Sequence, residues 1–220
     1  MNRVEKADDL VRVRRVLISV SDKSELDTLV PGLAEHDDLV IYSTGGTYTR
    51  IASILGERAA GRLRQVSDYT GQPEMQGGLV KTLDFRIYLG LLSEPYNEAH
   101  DADRARLDAD LIDMVVVNLY PFRSVSQRSG SDAEDARSNI DIGGPCMLRA
   151  AAKSYLRVAS VCDPSDYRSI LEELRENEGC TRLETRFRLA QKSFGHTAQY
   201  DTAIADYLTQ RSFHDATAPY

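Results

Sequence analysis

The 220-residue chain has no tryptophan, three cysteines, four histidines and no long apolar run. Each scarcity closes a class of function. Cys146, Cys162 and Cys180 are odd in number, widely spaced and form no CxxC, which argues against a disulfide framework and for a reducing compartment. His36, His100, His196 and His214 make no HxxxH or HExxH pair, so no structural or catalytic metal site is expected. No stretch reaches the roughly 18 apolar residues of a membrane span, and the charged start MNRVEKADDLVRVRR is unlike a secretory signal. Positive charge is in deficit as well: 27 Lys and Arg face 34 Asp and Glu, a formal charge of -7. That balance leaves no electrostatic footprint for nucleic acid or an anionic membrane. An anionic ligand would have to be met by local groups against the global field. The expectation is a soluble cytoplasmic protein, with 42% hydrophobic residues to build one good-sized domain.

What is present reads as strand–turn–helix units. RRVLISVSD gives a buried strand over Val16 to Val20, and Leu26, Leu29, Val30 and Leu33 then recur at helical spacing. LVIYSTGGT is a second apolar strand that breaks at Gly45-Gly46, after which YTRIASIL resumes the helical period. IDMVVVNLYPF is the clearest buried strand, and LRVASVCDPSDYRSILEEL repeats the plan with an Asp-Pro turn. Successive units of this kind predict an α/β fold with a doubly wound parallel sheet. Residues 1–13 read as a tail, 14–178 as the domain body, 179–212 as a wholly helical extension from about Cys180 to Gln210, and 213–220 as a second tail. Asp68 to Asp84 reads as a long glycine-bearing loop, and RSVSQRSGSDAEDARS as a surface linker.

Ligands of parallel α/β sheets gather at the carboxyl ends of the strands, where SVSDK, STGGT, NLYPF and DIGG are all placed. STGGT offers free backbone N–H groups, hydroxyls and a helix N-terminus, the makings of a phosphate cradle, although a plain tight turn explains it too. Ser21 and Lys23 would add a hydroxyl and a cation to the same anion. Asp141, before Gly143-Gly144-Pro145, reads either as an acid complementing a helix dipole or as a proton acceptor beside exposed N–H groups. Lys81, Tyr120 and Lys153 each have an ordinary structural explanation. A packed or surface helix face explains His196 and Tyr200, which stand four residues apart.

Together, ISVSDKSELDTL, STGGT, VSDYTGQPEMQGGLVKTL, VVVNLYPF, NIDIGGPCMLRAAAK and LAQKSFGHTAQYDTAIADYL resemble the inosine monophosphate (IMP) cyclohydrolase domain that begins the bifunctional purine-biosynthesis proteins. The resemblance runs in order from about Arg15 to Leu208. It implies a methylglyoxal-synthase-like fold with a C-terminal helical extension. It also implies dehydrative ring closure of 5-formamidoimidazole-4-carboxamide ribotide to IMP, a purine ribonucleotide substrate, a homodimer, and no cofactor or metal. The formyltransferase domain that follows in that family has no counterpart here. The expectation is therefore a stand-alone cyclohydrolase, fed by a separate formyltransferase, or a piece of a longer protein. Carried over by position, the resemblance implies catalytic roles for Lys81, Tyr120, Asp141 and Lys153. It implies phosphate contacts from Ser21, Lys23, Thr44, Gly45, Gly46 and Thr47, and substrate contacts from Thr82, Asn118 and Leu119. The backbone N–H groups of Ile142 and Gly143 would steady the former formyl oxygen.

Two points strain the match. On one straight helix the Cα atoms of Asp141 and Lys153 would lie about 18 Å apart, so the lysine serves that acid only if the Asp141 segment leaves the helix and folds back. The family also usually reads Gly-Arg-Val-Lys-Thr-Leu-His-Pro followed shortly by a second histidine, whereas GLVKTLDFRIYLG puts Leu79, Asp84 with Phe85, and Tyr88 in those places. Losing the arginine removes a charge-assisted contact of about 1.5–3 kcal/mol. Cys146 replaces a serine. These changes keep two alternatives in view: a paralogue closing a related ribotide or azole carboxamide, and a non-catalytic nucleotide-sensing module.

Overall fold

The computed structural model describes residues 3–73 and 82–220. Its centre is a five-stranded, all-parallel sheet in the order β4-β3-β2-β5-β6. The strands are β2 (Arg15–Val20), β3 (Val40–Ser43), β4 (Leu63–Gln65), β5 (Met114–Asn118) and β6 (Ala159–Val161). The chain runs outward from β2 through β3 to β4, then returns to the other side of β2 with β5. The order therefore reverses between β2 and β5, the position at which such sheets open a ligand crevice.

Helices α1 (Leu26–Leu33), α2 (Gly45–Leu55), α3 (Val66–Thr70), α4 (Phe85–Leu92), α5 (Glu98–Arg106), α6 (Phe122–Ser126), α7 (Ala133–Ser138), α8 (Gly143–Lys153), α9 (Tyr167–Glu176), α10 (Leu183–Thr209) and α11 (Phe213–Thr217) complete the described chain. Side chains alternate across each strand, so the core falls into two clusters. Val16, Ile18, Ile41, Val116 and Val161 join α1, α2 and α9 on one face. Leu17, Tyr42, Val115 and Val117 join α4 and α8 on the other. Both faces are covered, which is why these strands read as continuous apolar runs.

The ends of the chain differ from the sequence-based division. Residues 1–13 are not a free tail throughout, because β1 (Leu10–Arg12) pairs antiparallel with β7 (Cys180–Arg182). The C-terminal extension accordingly opens as a strand, and helix starts only at Leu183. Arg186 fixes this corner. It is fully buried, and its guanidinium donates to the carbonyls of Asp8, Asp9, Tyr155, Leu156 and Thr181. Five backbone carbonyls from three segments thus share one buried cation. The expected linker 123–138 holds most of α6 and all of α7, the latter opened by a capping box between Asp132 and Asp135. The second tail contains α11. Of the loop expected over Asp68 to Asp84, Asp68–Thr70 belong to α3, and residues 74–81 lie outside the described residues.

Candidate active site

At the carboxyl ends of β2, β3 and β5 lies a cavity of about 330 Å³, within the size range of small-ligand sites. Two turns and one helix mouth build it. The first turn follows β2. Here Asn118, at the end of β5, locks the loop: its side-chain amide donates to Asp22 O and accepts from Asp22 N–H, both at 2.8 Å. Asn118 also lines the cavity, with its side-chain amide engaged in this stitch. Lys23 curls back, with Nζ 3.3 Å from Ser21 O, and lies along Gly46 of the neighbouring turn.

The second turn is Thr44–Thr47, where β3 passes into α2. Gly45 opens the helix at φ 46, a left-handed conformation that glycine adopts without strain. Thr47 is committed elsewhere: its hydroxyl accepts from Val20 N–H at 3.2 Å and donates to Val20 O at 3.0 Å. It pins α2 to β2. Thr44 is buried, with its hydroxyl 3.3 Å from that of Ser19. The N–H groups of Gly45, Gly46 and Thr47 start the helix and have no intrahelical acceptor. An anion placed before them meets the positive end of a helix and the Lys23 ammonium together.

The third wall is the start of α8. Asp141 stands just outside this helix, and its Oδ1 accepts from Gly144 N–H at 2.8 Å. Burial raises the Asp141 pKa above its ordinary value, opposed by the backbone N–H groups of Gly144 and Tyr120. Pro145 has no N–H to offer. Among the described residues, the N–H groups of Ile142 and Gly143 find no acceptor and remain open at the mouth of the helix. Side chains crowd both glycines. A Cβ on Gly144 would sit 2.5 Å from Asp141 Oδ2, and one on Gly143 would sit 2.8 Å from the Thr82 hydroxyl. Tyr120, half-exposed, completes the rim.

The structure thus brings together Ser21, Lys23, Thr44, Gly45, Gly46, Thr47, Thr82, Asn118, Tyr120, Asp141, Ile142 and Gly143 around one cavity. Two expected residues are elsewhere. The Leu119 side chain turns into the core under Gly144. Lys153 is the last residue of α8 and exposed. Pro145 begins that helix rather than breaking it, and ten further residues of unbroken helix carry Lys153 about 15 Å from Gly143. The fold-back of Asp141 occurs, yet it does not bring the two groups of one chain together. Lys81, with Leu79, lies outside the described residues. No group of three or more His, Cys, Asp or Glu side chains among the described residues is placed to hold a metal ion.

Two features escaped sequence reading. Leu83, Gly144 and Met147 also line the cavity. Tyr88 and Cys146, two departures from the family pattern that stand 58 positions apart, face each other between α4 and α8. Among the described residues the buried Tyr88 hydroxyl finds no hydrogen-bond partner, and its pKa is raised, by burial first and by the Cys146 thiol second.

Residues 25–146 match the family of MGS-like domains. The chain belongs to that family. Residues 151–219 match a second family, the AICARFT/IMPCHase bienzyme, an enzyme family. The bifunctional purine biosynthesis protein PurH of Ruminiclostridium cellulolyticum is 45% identical over 197 residues, and that of Enterococcus faecalis 46% over 196. The matched segment is 89% of this chain in both cases, but the chain spans only 37% of the length of each of these relatives. The crystal structure of ForH superposes with a TM-score of 0.73 at 31% identity, covering 89% of this chain and 99% of ForH. MGS-like and bienzyme-family sequence therefore occupy successive parts of one chain, and most residues lining the cavity lie in the MGS-like part, with Ser19 to Lys23 just before it.

Proposed function

We propose that the chain is an IMP cyclohydrolase, which closes 5-formamidoimidazole-4-carboxamide ribotide to IMP with loss of water. One observation carries this reading: a half-buried carboxylate, Asp141, is fixed beside two open backbone N–H groups in the same cavity as a helix N-terminus and a lysine. The ribotide phosphate sits before Gly45, Gly46 and Thr47, with Lys23 as its counter-charge. This places the imidazole toward α8. There the carboxamide nitrogen attacks the formyl carbon, forming the N–C bond, and Asp141 takes the proton that nitrogen releases. The N–H groups of Ile142 and Gly143 receive the charge that grows on the former formyl oxygen. That oxygen leaves as water: it takes up two protons, one returned by Asp141 and one released from the formamide nitrogen, and the C–O bond breaks as that nitrogen forms the ring C=N bond. A carboxylate of raised pKa is suited to this exchange, since it holds and returns a proton more readily near neutral pH. Tyr120 borders the reacting end, and Lys81 is assigned there by resemblance alone. Lys153 of the same chain takes no part in this arrangement. The working unit in this reading is a cytoplasmic homodimer of a hydrolase acting on a cyclic amidine.

The test is a spectrophotometric assay of the purified chain with the formamido ribotide, beside Asp141→Asn. Formation of IMP that falls by about 10²-fold or more in the variant supports the reading, since positioned general-base catalysis is worth about 10²–10⁴. Tight ribotide binding without turnover would move the protein to a sensing role or to another carboxamide substrate.

A further inference from the structure

Tyr200 lies far along α10, away from every turn that forms the cavity, and nothing in the cyclohydrolase reading uses it. Its hydroxyl nevertheless reaches the Asp141 segment twice. It accepts from Asp141 N–H at 2.9 Å and donates to Asn139 O at 3.1 Å. These are the two backbone groups that flank the turn into α8, and Asn139 ends α7. One hydroxyl therefore fastens the segment that carries the carboxylate, using both its donor and its acceptor capacity. The Tyr200 ring is itself held. Phe122 packs against it edge-on, with centroids 6.3 Å apart, and Phe122 lies two residues after Tyr120 on the rim of the site. Tyr207, two turns on, packs edge-on against the same Phe122 ring, with centroids 5.6 Å apart. α10 is well placed to serve as a rigid support, since it packs along α8 and β6.

We infer that Tyr200 is a positioning residue: its hydroxyl holds the Asp141 turn in the half-buried geometry from which the carboxylate works. The carboxylate is fixed at its side chain by Gly144 N–H and at its backbone by Tyr200, so its two anchors come from different elements. Loss of the hydroxyl strands Asp141 N–H and Asn139 O together. The turn then relaxes toward water, while the phosphate cradle at α2 stays as it is. His196, one turn before Tyr200, lines with it a second hollow that also includes Cys162 and Lys192, and its Nε2 has no partner among the described residues.

This inference rests on the cyclohydrolase reading for its kinetic arm only. For Tyr200→Phe the expected result is a kcat lower by about 10- to 100-fold, the loss that follows from misplacing a reacting group by an ångström or less. KM should stay within about twofold, because ground-state binding is unaltered. The acidic limb of the rate profile should move to lower pH, since an Asp141 released toward solvent loses the burial that raises its pKa. A variant with unchanged kcat and unchanged limb overturns the inference. So does one whose KM alone rises. The second arm needs no substrate: hydrogen exchange of the Asp141 amide in the wild-type chain should be slow, and faster in the variant. Rapid exchange in the wild type refutes the hold directly, even if the phenylalanine variant does not fold. If the wild-type chain turns nothing over while the amide is protected, the cyclohydrolase reading fails and the hold on Asp141 stands.

Discussion

Gly144→Ala separates local helix energetics from the chemistry of the site. In an isolated helix the change should help, because alanine is preferred to glycine by about 0.8–1.0 kcal/mol. Here the added methyl group lands 2.5 Å from Asp141 Oδ2, 3.0 Å from Asp141 Cγ and 2.6 Å from Leu119 Cδ2. Leu119 is held in the core, so the carboxylate is the neighbour that can move. Moving it breaks the 2.8 Å bond from Gly144 N–H. A hydrogen bond to a charged group contributes about 1.5–3 kcal/mol. If that bond acts in the transition state, its loss corresponds to a drop in kcat of about 10- to 160-fold. The change in melting temperature should be small and of either sign, because the propensity gain and the contact strain oppose each other. Gly195→Ala, inside α10, is the matched control: a Cβ there meets nothing within 4 Å. Steady-state rates of IMP formation and circular-dichroism melts on both variants suffice. A Gly144→Ala protein with wild-type kcat would refute the claim that this glycine exists to seat the carboxylate.

Further outcomes follow from other contacts. Asp141 has a raised pKa in the folded protein, so the native state retains a proton that the unfolded chain has lost just above the ordinary value of 3.8. Stability contributed at this site is therefore lost as pH rises through that window, and the full cost persists above it. Asp141→Asn should melt higher than wild type at neutral pH, with the difference vanishing below about pH 4; melts at two pH values decide it. Tyr88→His and Cys146→Ser should be non-additive in stability by about 0.5–3 kcal/mol, as for residues in contact. Additive denaturation midpoints would show that the two positions changed independently. Thr47→Val should lose about 1–3 kcal/mol of stability, because Val20 N–H and O are left buried without their partner. Lys23→Ala should leave stability alone and raise KM; the reverse pattern in these two variants would reverse their assigned roles.

Much of the fold was legible because buried parallel strands announce themselves. Val115, Val116 and Val117 are apolar without alternation, and only a strand covered on both faces needs that pattern. The apolar residues of α1 recur at helical spacing, and Leu26, Leu29, Val30 and Leu33 are all buried in the same cluster. The β1–β7 pair was illegible for an equally physical reason. Each strand is three residues long, too short to show a period, and their pairing is flanked by Arg186, which comes from a helix and bonds to Asp9 O and Thr181 O. A buried arginine reads in sequence as one more surface charge on a charged helix.

The site shows a finer division between what a motif marks and what an atom does. SVSDK, STGGT, NLYPF and DIGG all reach one cavity, so the motifs located the loops correctly. Within those loops, however, the side chains of Asn118 and Thr47 are turned to the backbone of their neighbours, at Asp22 and Val20. Polar residues at a strand end serve two demands. They satisfy the backbone groups that a turn leaves unpaired, and they face ligand. Spacing along the chain cannot separate those demands, because both place the same residue types at the same positions. Tyr200 fails in the opposite sense. Its partners, Asn139 and Asp141, are 61 and 59 residues away, and its helical neighbours predict only a packed face. A residue that acts by holding another segment leaves its signal in that segment. Here the signal is a carboxylate, set just outside a helix beside two glycines, that cannot keep its position without an anchor from elsewhere.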